Sequence, residues 1–117
     1  MSEGRLYFNK LVRDIVPDSL GAKGCAYETR ILDNQEFEQE LLKKVGEESN
    51  EVASAKDRTE LIKEIADLED VLDELKRLKS IAPRELEEAK ETAFSKKGGF
   101  TKHLFLVWSA DDGYKKE

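Results

Sequence analysis

Residues 33–80 read DNQEFEQELLKKVGEESNEVASAKDRTELIKEIADLEDVLDELKRLKS. Asp33 is followed by Glu36 at an offset of three, and Asp57 by Glu60 at the same offset. An acceptor side chain with Glu three residues later marks a helix start. After the first start, Phe37, Leu41, Val45 and Val52 recur at helical spacing. After the second, Leu61, Ile65, Leu68, Val71, Leu72, Leu75 and Leu78 do the same. The pattern predicts two long helices, from about Asn34 to Lys56 and from about Arg58 to Ser80. Helices of this length joined by so short a link lie antiparallel.

Toward the C-terminus, Pro83 suits the first turn of a third helix. Leu86, Ala89, Ala93 and Phe94 form its apolar stripe, and Gly98-Gly99 end it. His103 to Trp108 is a compact apolar run that reads as a strand. Toward the N-terminus, Tyr7 to Leu20 mixes aromatic, basic and apolar residues, and Pro17 breaks it. Gly21 and Gly24 mark a turn. Tyr27 to Leu32 roughly alternates and reads as a short strand, a partner for His103–Trp108. The expected fold is mainly α: an antiparallel helical hairpin plus a third helix, with a small two-stranded β element from the N- and C-terminal segments. One domain spans 1–117. Its parts are an N-terminal motif and strand at 7–32, a helical core at 33–97, a Gly-Gly turn and strand at 98–108, and a polar tail at 109–117.

Composition narrows the classes of function. The 117 residues are 38% hydrophobic and 39% charged, with a formal charge of −6. That balance suits helices with one apolar stripe and charged outer faces. No run approaches the ~20 apolar residues of a membrane span, and no apolar signal core follows Met1-Ser2-Glu3-Gly4-Arg5. The single cysteine, Cys25, excludes an internal disulfide framework. The single histidine, His103, excludes a three-His zinc site within one chain. Acidity argues against a nucleic-acid polymer as partner. A cytoplasmic protein is the expectation.

The direction of each carboxylate carries more information than the total. At about 100° per residue, Glu48 lies about 25° from the centre of the first helix's apolar stripe, Glu51 about 85° and Glu47 about 125°. In the second helix Glu64 lies about 35° from the centre and Asp67 about 95°. Each helix therefore places one carboxylate in its apolar face and another at the edge, three residues on, where the two are surface neighbours. Glu48 and Glu64 stand at matching heights from the Asp57 link, so the pairs can meet. Carboxylates driven into one gap repel and lose solvation. A divalent cation relieves both, and oxygen-only ligands suit Mg²⁺ or Mn²⁺. The alternative is that the long Glu side chains reach back to water or sit in structural ion pairs. The absence of Glu-x-x-His pairs on these helices disfavours a di-iron bundle.

The same residues carry a family resemblance. Gly46-Glu47-Glu48-Ser49-Asn50-Glu51 resembles the E-E-x-x-E element, and Glu64-Ile65-Ala66-Asp67 the E-x-x-D element, of the MazG-like all-α nucleoside triphosphate pyrophosphatases. Phosphoribosyl-ATP pyrophosphohydrolases carry related motifs. Asn9-Lys10-Leu11-Val12-Arg13-Asp14 with Pro17 resembles the opening of a subgroup of predicted house-cleaning pyrophosphatases, although Ile15 stands where that opening usually has Lys. Lys97-Gly98-Gly99-Phe100 resembles the subgroup's C-terminal element. The resemblance runs from Tyr7 to Trp108. It implies Mg²⁺-dependent cleavage of a nucleoside triphosphate, a noncanonical one in the house-cleaning subgroup, between its α- and β-phosphates. It implies Glu48, Glu51, Glu64 and Asp67 as metal ligands and catalytic residues, with Glu47 in a secondary role.

Substrate phosphates need cations away from the metal. Lys10 and Arg13 are candidates, with ion pairing to Asp14 or to a helix end as the alternative for both. Lys96 and Lys97 are candidates too, although placement at a helix C-terminus accounts for them better. Asn9 could read a base or phosphate, or cap a short helix after it. Phe8, Phe37, Phe100 and Trp108 could stack a base or belong to the core. Gly46 in mid-helix costs about 1 kcal/mol against Ala and points to a close approach there. Two further readings stand beside the pyrophosphatase: phosphoribosyl-ATP hydrolysis, and a non-catalytic helical dimerisation or regulatory module. A hairpin of this size leaves an apolar flank, so a homodimer is expected.

Overall fold

A computed structural model describes residues 4–111 and 113–114. It contains four helices: α1 (Val16–Ala22), α2 (Asn34–Ala53), α3 (Arg58–Leu78) and α4 (Pro83–Lys97). The chain divides into two compact units, Met1–Ile81 and Ala82–Glu117. No helix among the described residues is long and apolar enough to cross a membrane.

In the first unit the two helix starts are built as their sequences demand. The Asp33 carboxylate accepts from the Glu36 N–H at 2.8 Å, and Asp57 accepts from the Glu60 N–H at 2.8 Å. These bonds satisfy donors that a helix cannot satisfy itself. Glu60 also reaches back and accepts from the Lys56 N–H at 3.1 Å, which fixes the link between the helices. α2 ends at Ala53, three residues short of the expected Lys56, with Ser54 N–H bonded to the Asn50 carbonyl. α3 ends at Leu78, where Ser80 takes a left-handed φ of 56° and Ile81 N–H bonds to the Lys76 carbonyl. α2 and α3 pack along one another. Pro17 stands in the first turn of α1 rather than separating two pieces, because its fixed φ and missing N–H cost nothing there.

Leu41, 3% exposed, and Val71, 8% exposed, are the buried apolar residues of the hairpin. The remaining buried residue is a carboxylate, Glu64, at 6%. The single stripe expected on α3 is split. Val71 and Glu64 turn inward, whereas Leu61, Ile65 and Leu72 are each more than a third exposed. These three share one side of the helix, offset by about a quarter turn from the Glu64–Val71 line.

In the second unit α4 begins at Pro83, and Glu85 accepts from the Ala82 N–H at 2.8 Å. It stops at Gly98, whose φ of 77° favours glycine. The Phe94 ring then lies 3.4 Å from where a Cβ on Gly99 would stand. Neither expected strand forms: no strand occurs among the described residues. Ile31 is fully exposed, and Leu104, Phe105, Val107 and Trp108 are each 80–88% exposed. A two-stranded ribbon with no packed face is marginal in water, and Arg30 is turned instead to Glu36 at 2.9 Å. The tail expected over 109–117 lies partly outside the described residues.

Candidate metal centre

Leu41 and Glu48 are separated by seven residues on α2, and Val71 and Glu64 by seven on α3. Seven residues are two turns, roughly 10.5 Å. Equal separations of this kind suit one antiparallel register, in which Glu48 stands opposite Glu64 and the buried Leu41 and Val71 lie two turns away. Asp67 lies one turn from Glu64 on the same side. Ligand oxygens of Glu48, Glu64 and Asp67 all lie within 4.8 Å of one another.

These three are partly or fully withdrawn from water. Side-chain exposures are 15% for Glu48, 8% for Glu64 and 28% for Asp67. Burial pushes the Glu48 carboxyl above its usual value, and the neighbouring charges of Asp67, Glu51 and Glu64 add to the rise, against the opposing pull of Lys44. Two lysines on the same helices face the cluster. Lys44 Nζ is 3.9 Å from Glu48, and Lys63 Nζ is 3.5 Å from Glu64 and 3.4 Å from Asp67. The charges of Glu64 and Asp67 raise the Lys63 pKa. Arg13 Nη2 donates to Asp67 Oδ1 at 3.0 Å, and Nη1 pairs with Asp70 Oδ2 at 2.9 Å.

Three of the four expected ligands thus converge. Glu51 is exposed and stands outside the group, although its charge is felt at Glu48. Glu47 is exposed, on the polar side as expected. Arg13 takes neither of its expected ion partners: its carboxylates are Asp67 and Asp70, not Asp14 or a helix end. Asn9 does not cap α1, whose N-cap is Ile15; it is exposed at φ 46°. Lys10 is exposed. Lys96 and Lys97 are exposed in the last turn of α4, in the second unit. A Cβ on Gly46 would meet nothing within 4 Å, so no close approach within this chain explains that glycine. Phe8 and Phe100 are 69% and 95% exposed and form no core.

Lys44, Lys63 and Asp70 were not singled out by sequence. Spacing carried a signal for the lysines: Lys44–Glu48 and Lys63–Asp67 are both four apart, the offset at which helix side chains pair. Nothing in the spacing of Asp70 indicates an arginine 57 residues upstream.

The donor set fits a hard divalent cation. It is oxygen-only, comes from two facing helices, and includes a carboxylate shielded from solvent. No family model matches the chain, and no match is found among curated proteins or solved structures.

Proposed function

We propose that the chain is a divalent-cation-dependent nucleotide pyrophosphohydrolase. It would cleave a nucleoside triphosphate, in the house-cleaning reading a noncanonical one, to the monophosphate and pyrophosphate. The observation that carries this reading is the convergence of Glu48, Glu64 and Asp67 from two facing helices, with Glu64 among the few buried residues of the hairpin. A helical module built only for association would gain by an apolar residue at the Glu64 position, since burying a carboxylate costs more than burying leucine.

Glu48, Glu64 and Asp67 would hold Mg²⁺ or Mn²⁺. The bound ion supplies stabilisation of phosphate charge and lowers the pKa of a coordinated water. The protein's own residues do the rest. The facing helices fix the carboxylates before substrate arrives, so little reorganisation is needed. Lys44 and Lys63 moderate the repulsion among the carboxylates. Arg13, whose planar fork suits phosphate oxygens as well as carboxylates, stands at the edge of the cluster. Water attack at the α-phosphorus forms one P–O bond and breaks the bridging bond to the β-phosphate. The released proton passes to a carboxylate or to solvent.

The exposed row Leu61, Ile65 and Leu72 supports a homodimer as part of the same reading. Such a row on a packed helix is the seam a second hairpin covers.

The test is pyrophosphate release across a panel of canonical and noncanonical nucleotides, with and without Mg²⁺. Glu48→Gln and Glu64→Gln proteins serve as controls. Turnover that needs the metal and is lost in both variants supports the proposal. Absence of metal-dependent turnover on every substrate overturns it.

A further inference from the structure

Residues 4–15 form an irregular arm ahead of α1. Most of its apolar side chains are turned to solvent: Leu6, Tyr7, Phe8 and Ile15 are 69–82% exposed and Val12 is 46% exposed, while Leu11 is half-buried. Among the described residues, every side-chain hydrogen bond and ion pair between this arm and the α2–α3 hairpin is made by Arg13. Its two terminal nitrogens are divided between two carboxylates three residues apart on α3. Nη2 takes Asp67 Oδ1 at 3.0 Å, and Nη1 takes Asp70 Oδ2 at 2.9 Å. Residues three apart on a helix are surface neighbours, so one planar guanidinium can give a separate nitrogen to each of them.

The two carboxylates differ in what else they touch. Asp67 belongs to the acidic cluster, and its second oxygen, Oδ2, faces Lys63 at 3.4 Å. Asp70 is 58% exposed, is not in the cluster, and has Arg13 as its ion partner. The contact that links Asp70 to the cluster is the one through Arg13.

We propose that Asp70 is a positioning residue: with Asp67 it seats Arg13, and so fixes the 4–15 arm beside the carboxylate cluster, where Asn9, Lys10 and Arg13 can receive the phosphates of a nucleotide. The last step rests on the function proposed above. Lys10 and Asn9 lie three and four residues before Arg13, a reach of at most about 14 Å of chain. The anchor bears on substrate binding rather than on metal binding, because Asp67 keeps one oxygen free of the guanidinium.

The experiment compares the full-length wild-type chain with Asp70→Asn, Asp70→Glu and Asp67→Asn. Backbone ¹⁵N relaxation reads the order of residues 7–14, a Mg²⁺ titration of the melting temperature reads the metal site, and steady-state pyrophosphate release reads KM and kcat. In the wild type the arm's order parameters should approach the rigid range of about 0.85, and in Asp70→Asn they should fall below about 0.6. Asp70→Asn should keep the wild-type Mg²⁺ shift and raise KM roughly tenfold, with kcat within about twofold, the pattern of lost ground-state binding. Asp70→Glu, which keeps the charge, should recover most of the order and of the KM. Asp67→Asn should lose the Mg²⁺ shift. An arm equally ordered in Asp70→Asn and wild type overturns the anchor, whatever the kinetics. Loss of the Mg²⁺ shift in Asp70→Asn overturns the division of labour by placing Asp70 in the metal site. An ordered wild-type arm released by Asp70→Asn, in a protein that hydrolyses no nucleotide, upholds the anchor and overturns the arm's substrate role together with the proposed function.

Discussion

Replacing Glu48 by Gln removes one charge from the cluster and almost nothing from its shape. The nearest carboxylate oxygens of Glu64 and Asp67 lie within 4.8 Å, and Lys44 Nζ stands at 3.9 Å. At an effective dielectric of 20, two like charges 4.8 Å apart repel by about 3.5 kcal/mol and opposite charges 3.9 Å apart attract by about 4.3 kcal/mol. Two repulsions against one attraction leave about 2.7 kcal/mol unfavourable, and a water-like dielectric reduces this to about 0.7 kcal/mol. Lys63, 3.4–3.5 Å from the other two carboxylates, moves the balance toward the lower figure. Glu48→Gln should therefore stabilise the metal-free protein by about 1 kcal/mol at neutral pH, a rise of about 3–5 °C in melting temperature.

The sign with pH follows from linkage. Burial and the neighbouring acids raise the Glu48 pKa in the fold, so the folded protein binds this proton more tightly than the unfolded chain. Stability from this group is then fully present at low pH, and falls as pH rises from the ordinary Glu range through the raised value. The advantage of Glu48→Gln should appear above that range and vanish near pH 4, where the carboxyl is protonated in both states. Mg²⁺ at a hundred times its dissociation constant should stabilise the wild type by about 2.7 kcal/mol, and the variant should lose most of that gain. Thermal melts from pH 4 to 8, with and without Mg²⁺, measure all three effects. A variant less stable than wild type at pH 7, or one with an undiminished Mg²⁺ response, refutes the reasoning.

Leu41→Ala should cost about 2–5 kcal/mol, because Leu41 is the most deeply buried apolar residue of the hairpin; urea titration followed by circular dichroism at 222 nm measures it. Ile65→Asp, on the exposed row of α3, should convert a homodimer to monomer in sedimentation velocity while leaving the helical spectrum intact; an unchanged sedimentation coefficient removes that face from the interface. Lys63→Met should tighten apparent Mg²⁺ affinity roughly two- to fivefold, since it removes an exposed cation that competes for Glu64 and Asp67; calorimetric titration showing weaker binding would mean that Lys63 supports the site.

Helix starts and the carboxylate register were legible because both depend on local spacing. Asp33 with Glu36 and Asp57 with Glu60 need only three residues of context, and Glu48 opposite Glu64 follows from counting outward from a short link. The direction of α3 was less legible. Its apolar residues cover so wide an arc that an averaged stripe hid two faces, one led by Val71 and one by Leu61, Ile65 and Leu72. Glu64 sits on the first of these, which is why it is buried more deeply than Glu48. The strands failed for a different reason. Alternation in Tyr27–Leu32 and an apolar run in His103–Trp108 signal a strand only where a neighbour offers a paired edge and a packed face. Arg13 with Asp70 was illegible because an irregular arm has no period from which a partner can be counted.

The charge of the site also changes meaning once its cations are placed. Removing Glu48, Glu51, Glu64 and Asp67 from the 26 acidic residues leaves 22 against 20 basic ones, which invites the view that the acid excess is a metal site counted without its ions. The neighbourhood nevertheless holds cations of its own. Glu48, Glu64, Asp67 and Asp70 pair with Lys44, Lys63 and Arg13, four negative charges against three positive, and Glu51 adds a fifth negative charge felt at Glu48. A divalent ion must therefore compete with ammonium groups as well as lose water. The two lysines differ in how readily they yield. Lys63 is 70% exposed and can swing its long stem into solvent at little cost, while Lys44 is 20% exposed and confined. Metal entry should thus proceed on the Glu64–Asp67 side, with Lys44 remaining to offset Glu48. Arg13, held by two carboxylates rather than one, is the cation that stays at the rim to meet an anionic substrate.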